Sequence, residues 1–425
     1  MFKTLANAWK IPELRKKLMF TVLVLLIYRL CSVIPVPFID VDMLGDYFTS
    51  NLSGTILGLY DVMSGSAFSQ ATVLALGIQP YINASIIIQL LCVAIPPLER
   101  MAKEEGEVGK KKIERITRYT TVGLGLLLGF AYYTMMRNYE SQGFTMITSG
   151  GFLPACVIIL AFTAGACFVM WMGEQITEFG IGNGISVILF ANIIAGLDDT
   201  VKKIAQMTWW QALIVVVGMA ALVIFIVFIN DAERRIPISY AKRVVGRKIY
   251  GGQNTNLPLK VAMSGVMPVI FASSICSIPA TVCAFVPGWT DSWANKNLFS
   301  PTSWAYFAMY VLMIFFFSWF YSTIQYDPVE IGNNLKKNGG FIPGFRPGKP
   351  TSDFIQNVIN KIVVFGAVYL AIVAGLPIVA GNIMTDVQSL AIGGTSVIIV
   401  VGVALETVKA LEAQMLMRHY KGFLD

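Results

Sequence analysis

The chain has 425 residues, of which 56% are hydrophobic and 13% charged, with a mean hydropathy of +0.66 and a net charge of +7. Soluble domains carry about 25% charged residues, so an array of soluble domains, a disordered chain and a collagen-like chain are all excluded. The six cysteines lie in apolar stretches without a Cys-x-x-Cys pair, which favours buried small side chains over a disulfide framework. The composition predicts a polytopic membrane protein.

Ten apolar segments reach or approach the roughly 20 residues that a helix needs to cross a bilayer. They are approximately 18–37, 72–95, 118–137, 153–173, 183–198, 210–230, 261–287, 303–325, 357–380 and 391–411. The last carries Glu406 and Lys409, so we expect its inner half to emerge into water. The first ends in Ile34-Pro35-Val36-Pro37 without a small-x-small cleavage site, and we expect it to be retained.

The distribution of lysine and arginine predicts the orientation. If the N-terminus is cytoplasmic, the inner segments hold 27 of the 32 basic residues, which is a strong positive-inside asymmetry. This arrangement places both termini in the cytoplasm. Anionic lipid headgroups are then a sufficient reason for the net positive charge, and no nucleic-acid ligand is needed to account for it.

Residues 53–69, SGTILGLYDVMSGSAFS, are apolar enough to enter a membrane but too short to cross it. They follow the first span, on the outer side in this orientation. Non-helical backbone at membrane depth requires burial in protein or access to water. The segment therefore predicts a short helix that plugs a cavity from outside. An amphipathic helix lying on the outer leaflet is the alternative that the sequence leaves open.

Two inner loops of about 30 residues, 231–260 and 327–356, are longer than connections need to be. The first alternates apolar and basic residues around 236–245, which predicts a hairpin with a basic tip. The second places glycine, proline and lysine around Arg346, which favours turns over a helix. Both loops are interpreted as docking surfaces for a large cytoplasmic partner. The alternative is that they rest on lipid headgroups.

Polar side chains within the spans are few. Arg29 can snorkel to the outer surface, which indicates a structural role. For the others, hydrogen bonds between helices are the default expectation, and a polar seam along a path is the alternative. These others are Asn83, Ser85, Gln89, Ser273 and Ser274. His419, in a basic tail, is the chain's one histidine, and the catalytic motifs of hydrolases and nucleotide-binding enzymes are absent from the sequence. We therefore expect neither an enzyme nor a cofactor or metal.

Five strings in order resemble the SecY family of protein-conducting channels and together cover essentially the whole chain. They are ALGIQPYINASIIIQLL (75–91), GEQITEFGIGNGIS (173–186), YGGQNTNLPLKVAMSGVMPVIFASS (250–274), NNLKKNGGFIPGFRPGK (333–349) and GGTSVIIVVGVALETVKALEAQM (393–415). The resemblance implies an all-α membrane protein with ten transmembrane helices in two inverted five-helix halves around an hourglass pore. Helices 1–5 and the plug, about 55–69, would form the half 1–204; helices 6–10 and both long loops would form the half 205–425.

The resemblance also assigns roles to individual residues. The pore ring falls on Ile78, Ile82, Leu189, Ile270 and Ile399. The plug includes Thr55, Ile56, Leu57, Leu59, Tyr60, Val62, Met63 and Phe68. The lateral gate between helices two and seven would carry Gln89, Asn183, Ser273 and Ser274. The motor and ribosome docking residues would be Arg243, Arg247, Lys248, Lys336, Lys337 and Arg346.

The implied function is passage of unfolded secretory proteins across the bacterial cytoplasmic membrane, with lateral release of apolar segments into lipid. The implied partners are the SecE and SecG subunits, the SecA motor ATPase, the translating ribosome and its RNA, signal peptides, unfolded preproteins and membrane lipid. A secondary transporter of a small solute is the alternative, which the scarcity of mid-membrane ionisable groups disfavours. Gln70, Gln79 and Asn256 depart from the common family pattern, which puts details of plug sealing in question.

Overall fold

A computed structural model of the chain describes residues 8–48, 56–103, 105–140, 146–148, 151–240, 243–245, 248–250, 255–262, 265–285, 293, 297–298, 300, 303–383 and 388–421. The helices of the first half are α1 Pro12–Cys31, α2 Val41–Tyr47, α3 Ile56–Ser64, α4 Gln79–Ala94, α5 Pro96–Lys103, α6 Gly106–Glu140, α7 Phe152–Phe179, α8 Gly184–Ala195 and α9 Leu197–Gln206. The predicted boundary between the halves, 204/205, falls inside α9.

The second half begins with α10 Trp209–Asp231 and continues with five strands and five helices. These are β1 Glu233–Tyr240, β2 Arg243–Val245, β3 Lys248–Tyr250, β4 Thr255–Lys260, α11 Met267–Phe285, α12 Trp304–Gln325, α13 Pro328–Lys337, α14 Lys349–Ile383 and α15 Gln388–Lys421, with the short strand β5 Gly340–Phe341 between α13 and α14.

Each of the ten predicted spans overlaps a helix; these helices are α1, α4, α6, α7, α8, α10, α11, α12, α14 and α15. Within the described residues, five helical stretches are long and apolar enough to cross a membrane when judged singly. A sixth is added if α4 and α5, which meet at a bend of 107°, are taken as one span. The apolar length that predicted the spans therefore also predicts where the helices lie.

The second span starts later than its hydropathy predicts. Residues 72–78 are turns and a bridge rather than helix, and α4 begins at Gln79. Gly77 has a φ of +52°, in the left-handed region that ends or precedes a regular helix, and Pro80 occupies the first turn of α4. The apolar stretch thus divides into an irregular buried part and a helix.

The segment 327–356, in which turns were predicted around Arg346, also contains helix: residues 328–337 form α13, and the residues from Lys349 onward belong to α14. Asp327 caps α13 by accepting bonds from the backbone N–H groups of Val329 and Glu330, at 2.8 and 3.3 Å. An aspartate followed by proline is a strong helix start. Turns do occupy the segment around Arg346, where Gly344 and Gly348 have φ angles of +91° and +109°.

The two long loops fold together into one small platform. β1 pairs antiparallel with β4, with Ile236 opposite Leu257, and its other edge pairs with β5, with Ser239 opposite Phe341. β2 and β3 form the predicted hairpin, with Val245 opposite Lys248. A separate apolar core lies beneath the three-stranded sheet, formed by Ile236, Ile238, Leu259, Leu335, Ile342, Ile355, Ile359 and Val363.

The membrane helices share a much larger core, and glycine permits their closest approaches. A Cβ atom on Gly165 of α7 would lie 1.8 Å from the carbonyl oxygen of Val73. One on Gly184, at the start of α8, would lie 1.9 Å from the carbonyl oxygen of Gly173. These contacts bring α7 against both the irregular segment before α4 and the start of α8, which places the ring and plug residues described below.

Candidate functional site

The five ring residues come from four helices and lie in one continuous apolar core. Ile78 immediately precedes α4 and Ile82 lies within it, while the other three belong to α8, α11 and α15. Each is at most 4% exposed. A layer of aliphatic side chains contributed by separate helices can part and close without breaking hydrogen bonds, and such a constriction can exclude ions by dewetting.

The short helix α3 is enclosed by the same four helices. It packs against α8, α11 and α15, and the Nε2 of Gln79 on α4 lies 3.0 Å from the Sδ of Met63. Leu57, Tyr60 and Met63 are buried, and Val62 is half-buried. α3 is thus buried among these helices, while the plug role assigned to it stays a prediction. Thr55 lies outside the described residues, and the side chains of Ile56 and Leu59 are likewise not described.

The segment after α3 is held by aromatic packing. The rings of Phe68 and Tyr132 of α6 have centroids 4.5 Å apart, and the Tyr132 hydroxyl donates to the Phe68 carbonyl oxygen at 2.6 Å. Phe68 also packs against Phe48 and Tyr60. Sequence analysis had not singled out Tyr132. The available signal was a tyrosine within an apolar span, because a buried tyrosine hydroxyl usually finds a partner.

Polar side chains from α1 and α8 hold the end of α3. Arg29 donates from Nη1 to the Gly65 carbonyl oxygen at 3.1 Å, so its role is a specific contact with the plug segment rather than snorkelling alone. The Nδ2 of Asn192 donates to the Met63 carbonyl oxygen and to the Tyr28 hydroxyl, both at 2.8 Å. Sequence reasoning missed Asn192 and Tyr28, although an amide within the short fifth span was a signal.

The two helices predicted to form the lateral gate, α4 and α11, pack against each other. Gln89 donates from Nε2 to Ser85 on its own helix at 3.3 Å, and Ser273 donates to the Ile270 carbonyl oxygen at 2.9 Å. The Ser274 hydroxyl is buried and has no hydrogen-bond partner within the described protein. The default expectation of bonds between helices is therefore not met for these three residues: Gln89 and Ser273 bond within their own helices, and the Ser274 hydroxyl is left unpartnered among the described residues.

Asn183 lies apart from the other proposed gate residues. It caps α8, accepting a bond from the Ile185 backbone N–H at 3.0 Å. Its side chain lines a cavity of about 220 Å³. The cavity is formed between the start of α8 and the inner half of α15 by Gly182, Asn183, Ser186, Val403, Glu406, Thr407 and Ala410.

Three of the predicted docking residues, Lys336, Lys337 and Arg346, lie on the small platform. Lys336 and Lys337 occupy the last turn of α13. Arg346 is exposed, and its carbonyl oxygen accepts a bond from the Thr351 hydroxyl at 2.8 Å. The ring centroids of the neighbouring Phe345 and of Phe354 are 4.2 Å apart. The basic side chain thus projects from a fixed turn. Arg243 and Lys248 lie in β2 and β3 but their side chains are not described, and Arg247 lies outside the described residues.

The three departures from the family pattern lie in different surroundings. Gln70 and Asn256 are exposed, whereas Gln79 is buried against the plug through its contact with Met63. Gln79 thus contacts α3 directly, and Gln70 directly follows the predicted plug in the sequence. Among the described residues, no three His, Cys, Asp or Glu side chains come close enough together to hold a metal ion.

Comparison with known proteins gives a consistent family. A family model described as SecY matches residues 72–408. The protein translocase subunit SecY of Streptomyces scabiei is 42% identical over 440 aligned positions that cover all of both chains. A solved structure described as that of a protein conducting channel has a TM-score of 0.67 at 16% identity, covering 94% of this chain and 92% of that chain. The structure of Sec61 in the canine ribosome–channel complex has a TM-score of 0.62 to this chain, at the same identity and coverage. The family-model match and the 42% identity to a full-length relative show that the chain belongs to the SecY family, and the structural neighbours share its fold.

Proposed function

We propose that this chain is the channel-forming subunit of a protein translocase, which passes unfolded secretory proteins across the bacterial cytoplasmic membrane. One observation carries the proposal: α3 contacts each of the four helices that supply the five ring residues. A short plug enclosed at an aliphatic ring is suited to a pore that must close when empty and open for a long chain. The role is that of a passive conduit, with energy supplied by a partner.

Apolar segments would leave the pore sideways between α4 and α11. This seam contains the buried, unpartnered Ser274 hydroxyl and the half-buried Gln89. A signal peptide's helix entering here would replace the α4–α11 contact with contacts of its own. The halves 1–204 and 205–425 would move apart to admit it. The roles of Gln89, Ser273, Ser274 and the more distant Asn183 belong to this proposal.

The platform would dock the SecA motor or a translating ribosome. Its support is the exposed Arg346 on a turn fixed by Thr351 and Phe354. The related Sec61 channel has been solved in a complex with the ribosome, and phosphate-rich ribosomal RNA would attract the basic hairpin. Membrane lipid and the SecE and SecG subunits would cover the apolar surfaces of helices such as α10. Only 11% of the most apolar 18-residue stretch of α10 is buried within this chain. Both termini would be cytoplasmic.

The small-solute transporter is not proposed. The family match and the structural neighbours are protein-conducting channels, and no feature of the described residues favours a solute site over a channel. The platform also provides a docking surface that a solute carrier does not need.

The test is protease protection of a radiolabelled secretory precursor in proteoliposomes that contain this chain, its SecE and SecG partners, SecA and ATP. We expect an ATP-dependent protected fraction. With a known translocon working in parallel and cognate partners supplied, complete absence of protection would contradict the channel function.

The variant Arg346→Glu tests the docking role in the same assay. We expect motor-driven protection to be lost, because a charge reversal on an exposed turn removes a contact without disturbing a core. Lys349→Glu is the matched control, since Lys349 is also exposed and lies three residues away; protection should persist. Undiminished export by a folded Arg346→Glu protein would contradict the role of Arg346.

A further inference from the structure

The carboxyl end of the plug helix is bound by side chains from two other helices. The last carbonyl groups of a helix have no partner within it. Here the Met63 carbonyl oxygen accepts from Asn192 at 2.8 Å, and the Gly65 carbonyl oxygen accepts from Arg29 at 3.1 Å. These are directional contacts, unlike the apolar packing of the ring. They exist only while α3 occupies its enclosed position.

Asn192 is committed to this arrangement. It is 0% exposed and lies three residues after the ring residue Leu189. A carbonyl oxygen can only accept, so the amide nitrogen must face Met63; its second hydrogen is donated to the Tyr28 hydroxyl at 2.8 Å. The remaining oxygen, Oδ1, has no hydrogen-bond partner within the described protein. Tyr28 therefore fixes the amide that binds the plug.

The chain after the plug fits closely against the same two side chains. Gly65 has a φ of +68°, and a Cβ atom there would lie 3.0 Å from Nη1 of Arg29 and 3.2 Å from Oδ1 of Asn192. Glycine meets both requirements, the left-handed backbone and the lack of a side chain. The end of α3 is thus seated against Arg29 and Asn192 rather than merely near them.

We propose that Asn192, positioned by Tyr28, is a specificity-determining residue that sets how strong a signal segment must be to open the channel. This rests on the proposed function. Opening separates Asn192 from Met63, so the bond stabilises the closed state alone. A ligand shifts a two-state equilibrium only by its differential affinity for the two states. A weakly apolar signal segment is therefore rejected unless its binding outweighs this contact.

Release of the plug can be measured without any translocation. Ser64, the last residue of α3, is buried, and the substitution Ser64→Cys places a reporter there. The full-length chain in lipid nanodiscs is treated with a water-soluble maleimide, and modification at position 64 is followed by peptide mass spectrometry. The labelling rate of a buried site follows the population of the opened state when opening is fast and reversible.

Two variants remove the contact in different ways. Asn192→Leu deletes the amide at similar volume, and we expect labelling to rise roughly two- to tenfold, the range that one net hydrogen bond supplies. Tyr28→Phe deletes only the hydroxyl that orients Asn192, so the rise should be smaller, and the double variant should show less than the product of the two effects. Tyr369→Phe is the matched control. Tyr369 is buried like Tyr28, but it lies on α14 and its hydroxyl has no hydrogen-bond partner within the described protein.

The second readout compares export of a full-strength precursor with one whose apolar signal segment is shortened. Asn192→Leu should raise the relative export of the shortened precursor by a similar factor. Unchanged labelling in folded Asn192→Leu and Tyr28→Phe proteins would show that the Asn192 contact does not stabilise the closed state. Unchanged relative export despite faster labelling would contradict the role of Asn192 in signal-segment specificity. If Asn192→Leu does not fold, Tyr28→Phe decides both. Failure of the unaltered chain to export the full-strength precursor would instead count against the proposed function, while the labelling result would still stand.

Discussion

At the scale of single residues, the proposed closure of the channel would combine two kinds of contact. The ring uses branched aliphatic side chains, which exclude water but form no directional bonds. The plug end uses amide, guanidinium and hydroxyl donors on backbone carbonyl oxygens. Apolar contacts can re-form around a passing chain of any sequence, whereas each hydrogen bond is restricted to one position of the plug. In the proposed channel, the ring would seal the pore and the polar contacts would hold the closed state.

Ile399→Asn tests the ring. The side chain is 4% exposed, and burying an amide without a partner costs about 1–3 kcal/mol in protein mutational data. The closed state should be destabilised, so we expect roughly tenfold more export of precursors with defective signal sequences. The measurement is protease protection with normal and defective precursors. Ile399→Leu retains an aliphatic side chain of equal volume and should behave like the unaltered chain. No gain for Ile399→Asn would count against the pore assignment.

At the scale of elements, two very close contacts pass through glycines on α7 and α8. The segment opposite Gly165 cannot easily withdraw, since the Val73 backbone N–H donates to the Ile34 carbonyl oxygen at 2.9 Å and the Val36 backbone N–H donates to Ala71 at 3.1 Å. These bonds tie the irregular segment before α4 to the segment that follows α1. The position of Ile78 and Ile82 therefore depends on α7 lying flush against this segment.

Gly165→Ala should weaken this packing. A methyl group 1.8 Å from the Val73 carbonyl oxygen must displace backbone, and overpacking of this kind costs about 1–3 kcal/mol. We expect a lower temperature of half-aggregation, measured by size-exclusion chromatography after heating in detergent. Gly218→Ala in α10 is the control, because a Cβ there meets nothing within 4 Å. Equal losses in both variants would refute the packing argument.

At the scale of the whole molecule, α14 connects two separate cores. Its first turns complete the core of the platform through Ile355, Ile359 and Val363, and its later turns join the membrane core through residues such as Tyr369 and Leu370. One helix of 35 residues thus spans from the proposed docking surface to the channel. A partner bound at Arg346 would act on an element that also packs against α12 and α15.

Ile355→Ala should loosen the platform while leaving the membrane core intact. Ile355 is fully buried, and truncation at such a site costs about 2–5 kcal/mol. We expect faster hydrogen exchange in β1, β5 and α13 together, with exchange in α7 unchanged. Val364→Ala, at an exposed position of the same helix, should alter neither. Faster exchange confined to α14 would show that the two loops do not share one core.

The sequence by itself determined the membrane class, the location of ten helical segments and the family. Apolar length is a local property, so it reports helices such as α10 without knowledge of their neighbours. Motif strings placed the five ring residues, and the structure gathers them into one core. The roles given to these residues remain predictions that the experiments above address.

The tertiary structure alone decided where α4 begins, how the two long loops combine and what holds the plug. Asn192 bonds to Tyr28 and Met63 across 164 and 129 residues of sequence, and β1 pairs with β5 about 100 residues away. No local pattern specifies such partners, because a buried N–H or O–H group can donate to any carbonyl or hydroxyl oxygen that packing brings within reach. Hydropathy determined which segments enter the membrane, whereas the packing of distant segments determined which polar groups meet.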